Sequence, residues 1–267
     1  RCYKGIECFN ACCRDIDITL TPYDILRLKQ HLGLTSSEFL TRYTFPFEFG
    51  KNSIAGVKMK PVEDGTQCQF MTEEGCGVYE DRPTACRYYP VGLLSTRRAD
   101  ENFDRASYAL VKEDHCKGHL DEREITIKDY RSEQGLEEYD EHGRGWRQLI
   151  LKMKSAGPAI GTLSKKSLQL FFMACYDLDR FREFVKSEGF QATFDLEEDA
   201  RKEICEDDLA LLKFGDRFIR QVMFGEESIT RKSDAYDQLV ARRAAQARLR
   251  EEMESEQVST ENPTEDR

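Results

Sequence analysis

Apolar residues at Ile25, Leu28 and Leu32 share one face of a 3.6-residue repeat and predict a helix. Its ends are marked too: Thr21 can cap it, Pro22 can take the first helical position, Asp24 stands three residues after Thr21, and Gly33 stops it. Asp24 is therefore read as a cap rather than as a metal carboxylate. A short second helix runs through about Arg42, capped by Ser36 or Ser37. Over 45–79 the period changes to alternation at Val57 and Met59, with turn signals at Glu63-Asp64-Gly65 and Glu73-Glu74-Gly75. A small hairpin there presents Cys68 and Cys76. Residues 97–124 read as loop, with a short helix or strand over 103–112. Helical spacing then takes over, across 127–132, 135–156, 165–187 and 197–224. Residues 235–254 form a charged helical run with little apolar face, and 255–267 are polar enough to stay disordered. The expected fold is mainly α with a small β-hairpin region: an irregular cysteine-rich metal-binding half over 1–125, a helical region over 126–232 packed on it, and a tail over 233–267.

Composition narrows the functions. The hydrophobic fraction is 39% and the charged fraction 34%, and no run of about 18 apolar residues could span a bilayer. A net charge of −10 repels a polyanion, which argues against nucleic acid as a partner. No phosphate-cradling glycine loop and no serine-histidine-aspartate pattern stands out. The sequence opens at Arg1 rather than methionine, so no leader can be assessed, and a cytoplasmic location is expected from cysteine use alone.

Ten cysteines are many for 267 residues, and a chain of this size needs no disulfide staples to hold a core. Eight lie in the first 116 residues and in groups: Cys2, Cys8, Cys12 and Cys13; then Cys68, Cys76 and Cys86; then Cys116, flanked by His115 and His119. These eight are the expected metal ligands, with His119 and His115 as further candidates. Cα atoms of the adjacent Cys12 and Cys13 are about 3.8 Å apart. In a helix or strand their side chains diverge by roughly 100° or 180°, which favours two neighbouring metals, or two irons of one cluster, over a single ion. Pro83 is expected to open a helix with Cys86 in its first turn, where Arg82 and Arg87 could offset clustered thiolate charge. Cys175 falls on an apolar helical stripe with Leu168, Phe171, Phe172, Leu178 and Phe181, and Cys205 shares a face with Leu209 and Leu212; both read as core residues.

Taken together, Cys8-Phe9-Asn10-Ala11-Cys12-Cys13, Cys68, Cys76-Gly77-Val78-Tyr79, Arg82-Pro83, Cys86-Arg87, Pro90 and Cys116 with Gly118 resemble the YkgJ-type cysteine-cluster proteins over roughly residues 2–150. That family comprises zinc- or iron-chelating domains and includes relatives of flagellin lysine N-methylase. The resemblance implies that Cys8, Cys12, Cys13, Cys68, Cys76, Cys86 and Cys116 bind metal, with Cys2 as the first cysteine of the leading group. The chain departs from the family in the five residues between Cys2 and Cys8 and in Cys116-Lys117-Gly118-His119, where relatives often carry Cys-Pro-Gly. Tyr130, Arg131, Arg144 and Trp146 could line a pocket, helical packing and surface pairing being the simpler reading.

The leading expectation is a metal-binding protein with a cysteine-ligated iron-sulfur cluster, zinc being the alternative. A second is an iron-sulfur-dependent enzyme, either like a protein-lysine N-methyltransferase or redox-active, which implies a protein partner or protein substrate. A third, structural disulfides, fits poorly with a vicinal cysteine pair.

Overall fold

The computed structural model describes residues 4–49, 54–96, 105–155 and 164–234. Cys2, the charged run over 235–254 and the polar end of the chain lie outside the described residues.

Helix α1 (Pro22–Leu32) starts as its sequence dictates. Thr21 accepts from the Asp24 amide, Asp24 accepts from the Thr21 amide, Pro22 opens the first turn, and Gly33 closes the helix at φ 64°. Helix α2 (Ser36–Tyr43) is capped by Thr35, one residue earlier than expected. Thr35 and Glu38 complete both halves of a capping box. The Ser36 and Ser37 hydroxyls are instead bound to Asp177, at 2.6 and 2.9 Å.

Strands β1 (Thr19–Leu20), β2 (Thr44–Phe49) and β3 (Ile54–Met59) form an antiparallel sheet in the order β1-β3-β2. The alternation at Val57 and Met59 thus belongs to a sheet strand, with Ile54 and Val57 fully buried and Met59 nearly so. Strands β4 (Met71–Thr72) and β5 (Gly75–Cys76) make the small hairpin, turning at Glu73-Glu74. It carries Cys76; Cys68 lies just before it, bridged to Pro61. Helix α3 (Thr84–Tyr88) follows, then strands β6 (Val91–Thr96) and β7 (Arg105–Leu110), which resolve the helix-or-strand ambiguity as strand.

The second half is helical: α4 (Ile127–Glu133), α5 (Leu136–Ser155), α6 (Lys165–Tyr176), α7 (Leu178–Lys186), α8 (Glu188–Thr193), α9 (Glu198–Glu206) and α10 (Asp208–Phe224). Two expected long helices are broken, both at aspartate. Asp177 sits at φ −111°, ψ 71° between α6 and α7 and spends its carboxylate on Ser36 and Ser37 of α2. Asp207 caps α10 by accepting from the Ala210 amide. No membrane-crossing helix occurs among the described residues.

One hydrophobic core joins both halves. Leu20, Leu28, Phe39 and Val57 from the first half pack in the same cluster as Leu149, Phe171, Phe181, Phe214 and Phe218 from the second. Trp146 lies in it too, donating from Nε1 to the Tyr176 hydroxyl at 3.1 Å, while Tyr176 donates to the Ala55 carbonyl of β3 at 3.3 Å. Gly215 lets α10 lie against α6, since a Cβ there would come within 2.7 Å of the Ala174 carbonyl oxygen. Cys175 is buried in this core, and Cys205 packs half-buried against it, as the apolar spacing predicts.

Candidate metal centre

The three cysteine groups, far apart in sequence, open onto one cleft of about 2190 Å³. Its lining includes Cys8, Cys12, Cys13, Cys68, Cys76, Cys86 and Cys116, together with His115 and His119. All seven are free thiols.

The leading group is held by a 3-10 turn, Ala11–Cys13, entered through Asn10 at φ 63°. Asn10 tolerates this left-handed backbone better than most residues. Its side-chain amide donates to the Thr72 carbonyl at 2.8 Å, tying the turn to the β4–β5 hairpin. A second tie is main-chain: the Cys68 amide donates to the Cys13 carbonyl at 2.7 Å, and the Ile16 amide to the Thr66 carbonyl at 3.0 Å. Backbone pairing alone therefore brings Cys13 beside Cys68.

The vicinal sulfurs do not diverge. Cys12 and Cys13 Sγ lie 3.9 Å apart and share a hydrogen bond, because the 3-10 turn and the side-chain torsions fold them towards each other. With metal–sulfur bonds of about 2.3 Å, a tetrahedral site has sulfur–sulfur edges of about 3.8 Å, so one ion could take both. The divergence expected of regular helix or strand geometry, on which the preference for two metals rested, is therefore not found, and the separation is compatible with one ion as well as with two.

Helix α3 supplies Cys86. Pro83 is the N-cap rather than the first helical residue, and Asp24 explains why: its carboxylate accepts from both the Thr84 amide and the Thr84 hydroxyl at 2.7 Å. Asp24 is wholly buried and caps α1 and α3 together. Its role is structural, as the capping pattern predicts.

Electrostatics groups five of the seven thiols. Cys12 is pushed down to about 7 by the hydrogen bond from Cys13, against burial and the nearby Glu113 carboxylate. Cys13, holding the shared proton, is pushed far up by that same bond, by burial and by the thiolates of Cys12, Cys68 and Cys86. Burial also raises Cys68, Cys76 and Cys86; neighbouring thiolates add to each, Cys76 and Cys12 for Cys68, Cys12 for Cys76, and Cys68, Cys76 and Cys12 for Cys86. At Cys86, in the first turn of α3, burial and the surrounding negative charges set the upward direction. Such a set binds protons or a cation, because several thiolates at close range are stable only when something positive lies among them.

Two features absent from the sequence reading favour the ionised sulfurs. The Phe70 amide donates to Cys68 Sγ at 3.4 Å, and the Val78 amide to Cys76, each from two residues downstream. Amide hydrogen bonds to sulfur stabilise thiolate and tune a bound metal. Among the arginines, Arg82 acts on the site, lowering Cys76 while bonded to the Tyr79 carbonyl and Gln134 at 2.8 Å. Arg87 does not; its guanidinium is turned to the Arg82, Gln134 and Glu80 carbonyls and to Tyr139.

Cys116 stands slightly apart. It lies against the Tyr89 hydroxyl, which burial, Glu113 and Cys116 together hold protonated. Glu113 also raises Cys12, so the loop carrying Cys116 faces the five-thiol group. Among the described residues, no three Cys, His, Asp or Glu side chains converge into a ready metal-binding geometry. The donor set nonetheless fits a thiophilic ion: free sulfurs, amide donors to two of them and one facing guanidinium. Of the other residues singled out by sequence, Tyr130 lines the cleft and donates to the Tyr89 carbonyl at 2.8 Å, Arg131 pairs with Asp140, and Trp146 packs in the core.

Searches of curated proteins and of solved structures gave no match. A family model does match: CxxCxxCC, described as "Putative zinc- or iron-chelating domain", over residues 1–135. The family's name spells a tighter spacing than Cys2, Cys8, Cys12 and Cys13 show here. The matched segment spans half of the chain and takes in every cysteine that lines the cleft, and the protein belongs to this family of zinc- or iron-chelating domains.

Proposed function

We propose that the chain holds a thiolate-ligated iron-sulfur cluster in the cleft, through Cys8, Cys12, Cys13, Cys68, Cys76, Cys86 and Cys116, with Cys2 joining the leading group. The observation that carries this is the mutual influence of Cys12, Cys13, Cys68, Cys76 and Cys86, five free sulfurs from two sequence groups, in which Cys13, Cys68, Cys76 and Cys86 each have their proton affinity raised by neighbouring thiolates while Cys12 is lowered by its bond from Cys13. The number of thiols favours a cluster over a single ion, since a mononuclear site uses four. Loading requires the sulfurs to rotate inward and release protons, so uptake should be pH-dependent.

Zinc is the second reading, and the 3.9 Å separation of Cys12 and Cys13 Sγ favours it, because both fit one tetrahedral ion. Catalysis is a further role for the same site. The cleft is wider than an ion needs, at about 2190 Å³, which supports entry of a second molecule such as a protein side chain undergoing methyl transfer or redox chemistry.

Anaerobic purification followed by iron, zinc and acid-labile sulfide analysis tests the proposal. Stoichiometric iron and sulfide with broad absorbance near ~400 nm is expected of a cluster. Bound zinc without sulfide selects the second reading, and a protein that takes up neither metal overturns both.

A further inference from the structure

We infer that Nε2 of His119 is a metal ligand, so that the centre carries one imidazole beside its thiolates. This rests on the thiolate reading above and adds a donor outside the cysteine set.

The two histidines beside Cys116 differ in one decisive respect. His115 is occupied: its Nε2 shares a hydrogen bond of 3.1 Å with the Tyr89 hydroxyl, and the two rings stack nearly parallel. His119 Nε2 is sealed from solvent and has no hydrogen-bond partner. An unpartnered buried nitrogen costs roughly 1–3 kcal/mol, and folded proteins keep few of them without a reason. Among the described residues three other buried side-chain atoms share this state, Arg131 Nε, Asp140 Oδ1 and His142 Nδ1. None of those residues lines the cleft, whereas His119 does, together with Cys116 and the five-thiol group.

The local backbone suits the role. His119 lies in a 3-10 turn, Gly118–Leu120, three residues after Cys116. The turn is fixed by the Leu120 amide on the Lys117 carbonyl at 3.0 Å and by Lys117 Nζ on the Asp114 carbonyl, also at 3.0 Å. His119 thus sits on a short, braced segment rather than on a long loop.

Charge supplies the remaining argument. Each thiolate brings a full negative charge, and Arg82 is the guanidinium that acts on Cys76. A neutral imidazole donates a lone pair without adding charge, and it suits both zinc and iron. On an iron cluster, nitrogen in place of sulfur also raises the reduction potential.

The test is X-ray absorption on the full chain reconstituted with zinc(II), read alongside competition against a chelator. The wild-type protein should show imidazole outer-shell scattering beside its sulfur shell. His119→Ala should lose that signal and release zinc about 10-fold more readily or more, while His115→Ala keeps the wild-type spectrum. His119→Cys should retain the zinc stoichiometry with an all-sulfur shell, which keeps the test informative if the alanine variant does not fold. An all-sulfur shell in the wild-type protein, or an imidazole signal that survives in both His119 variants, overturns the assignment. A wild-type protein that takes up no metal sinks the thiolate reading itself, an outcome distinct from an all-sulfur shell.

Discussion

Arg87→Lys should destabilise the protein by about 3 kcal/mol, a large share of the ~5–15 kcal/mol that holds a typical domain folded. Arg87 is 6% exposed, and no carboxylate is among its hydrogen-bond partners. Its Nε donates to the Arg82 carbonyl at 3.0 Å, Nη1 to the Gln134 carbonyl at 2.7 Å, and Nη2 to the Glu80 carbonyl and to the Tyr139 hydroxyl, the last at 3.0 Å. Its guanidinium also lies 4.0 Å from the centre of the Tyr139 ring. A lysine ammonium is a single point at the end of its chain and can reach one or two of these acceptors, whereas the planar fork reaches all four. At least two of these four acceptors would then lose their partner, at about 1–3 kcal/mol for a buried one such as the Arg82 carbonyl and less where water enters, as at the exposed Glu80. Urea denaturation of parent and variant, compared at equal slope, measures the difference. Tyr139→Phe, which removes one of the four bonds and keeps the ring, should cost only about 1 kcal/mol. Those carbonyls belong to the turn before α3, its cap region and the α4–α5 corner, so the variant should also hold metal less tightly. A loss below about 1 kcal/mol for Arg87→Lys would refute the reasoning, since it would mean that the carbonyls find other donors at no cost.

Other outcomes follow from the same geometry. Burial pushes Asp216 up to about 7 from an ordinary 3.8, against Arg220, so between those values the folded state binds more protons than the unfolded one and stability falls as pH rises. Asp216→Asn should therefore be more stable than the parent at pH 8, by on the order of 2 kcal/mol after allowing for partial solvent screening, with the gain vanishing near pH 4; thermal melts at the two pH values check this. Gly215→Ala should lower the melting temperature despite the roughly 1 kcal/mol better helix propensity of alanine, because its Cβ would meet the Ala174 carbonyl oxygen at 2.7 Å and only a shift of α6 or α10 relieves that. In metal-free, reduced protein at neutral pH, iodoacetamide should label Cys12 first and Cys175 last, as read by peptide mass spectrometry; equal rates would count against the shared proton between Cys12 and Cys13. Serine at Cys12 and serine at Cys13, made separately, should each abolish metal binding if both sulfurs hold one ion, whereas loss in only one variant would show unequal roles.

Much of this was legible in local pattern. Thr21, Asp24 and Gly33 bound α1 where their chemistry places them, and Cys175 lies in the core as its apolar spacing demands. What escaped was set by partners distant in sequence. Nothing near Asp177 announces a break, because the serines that hold it are on α2. Pro83 yields the first helical position to Thr84 because Asp24, sixty residues earlier, takes that amide. The candidate site divides in the same way. Residue type and grouping single out the cysteines, while the closeness of the Cys12 and Cys13 sulfurs depends on a 3-10 turn and on rotamers that spacing does not encode. The amide bonds to Cys68 and Cys76 and the unpartnered nitrogen of His119 are facts of three-dimensional placement alone.

The main-chain bond from Cys68 to Cys13 bears on how tightly a metal can be held. Joining two points separated by the chain between them costs about 3.5 kcal/mol in closure entropy, by the logarithmic dependence on loop length. In this protein the loop is closed by peptide hydrogen bonds and by the sheet behind them, before any ion arrives. The incoming ion inherits a shortened search, and its affinity for the folded chain should exceed that for a denatured chain with the same cysteines by a few hundredfold from this single closure. Mild denaturant should accordingly release metal in step with loss of the β-sheet, rather than after it.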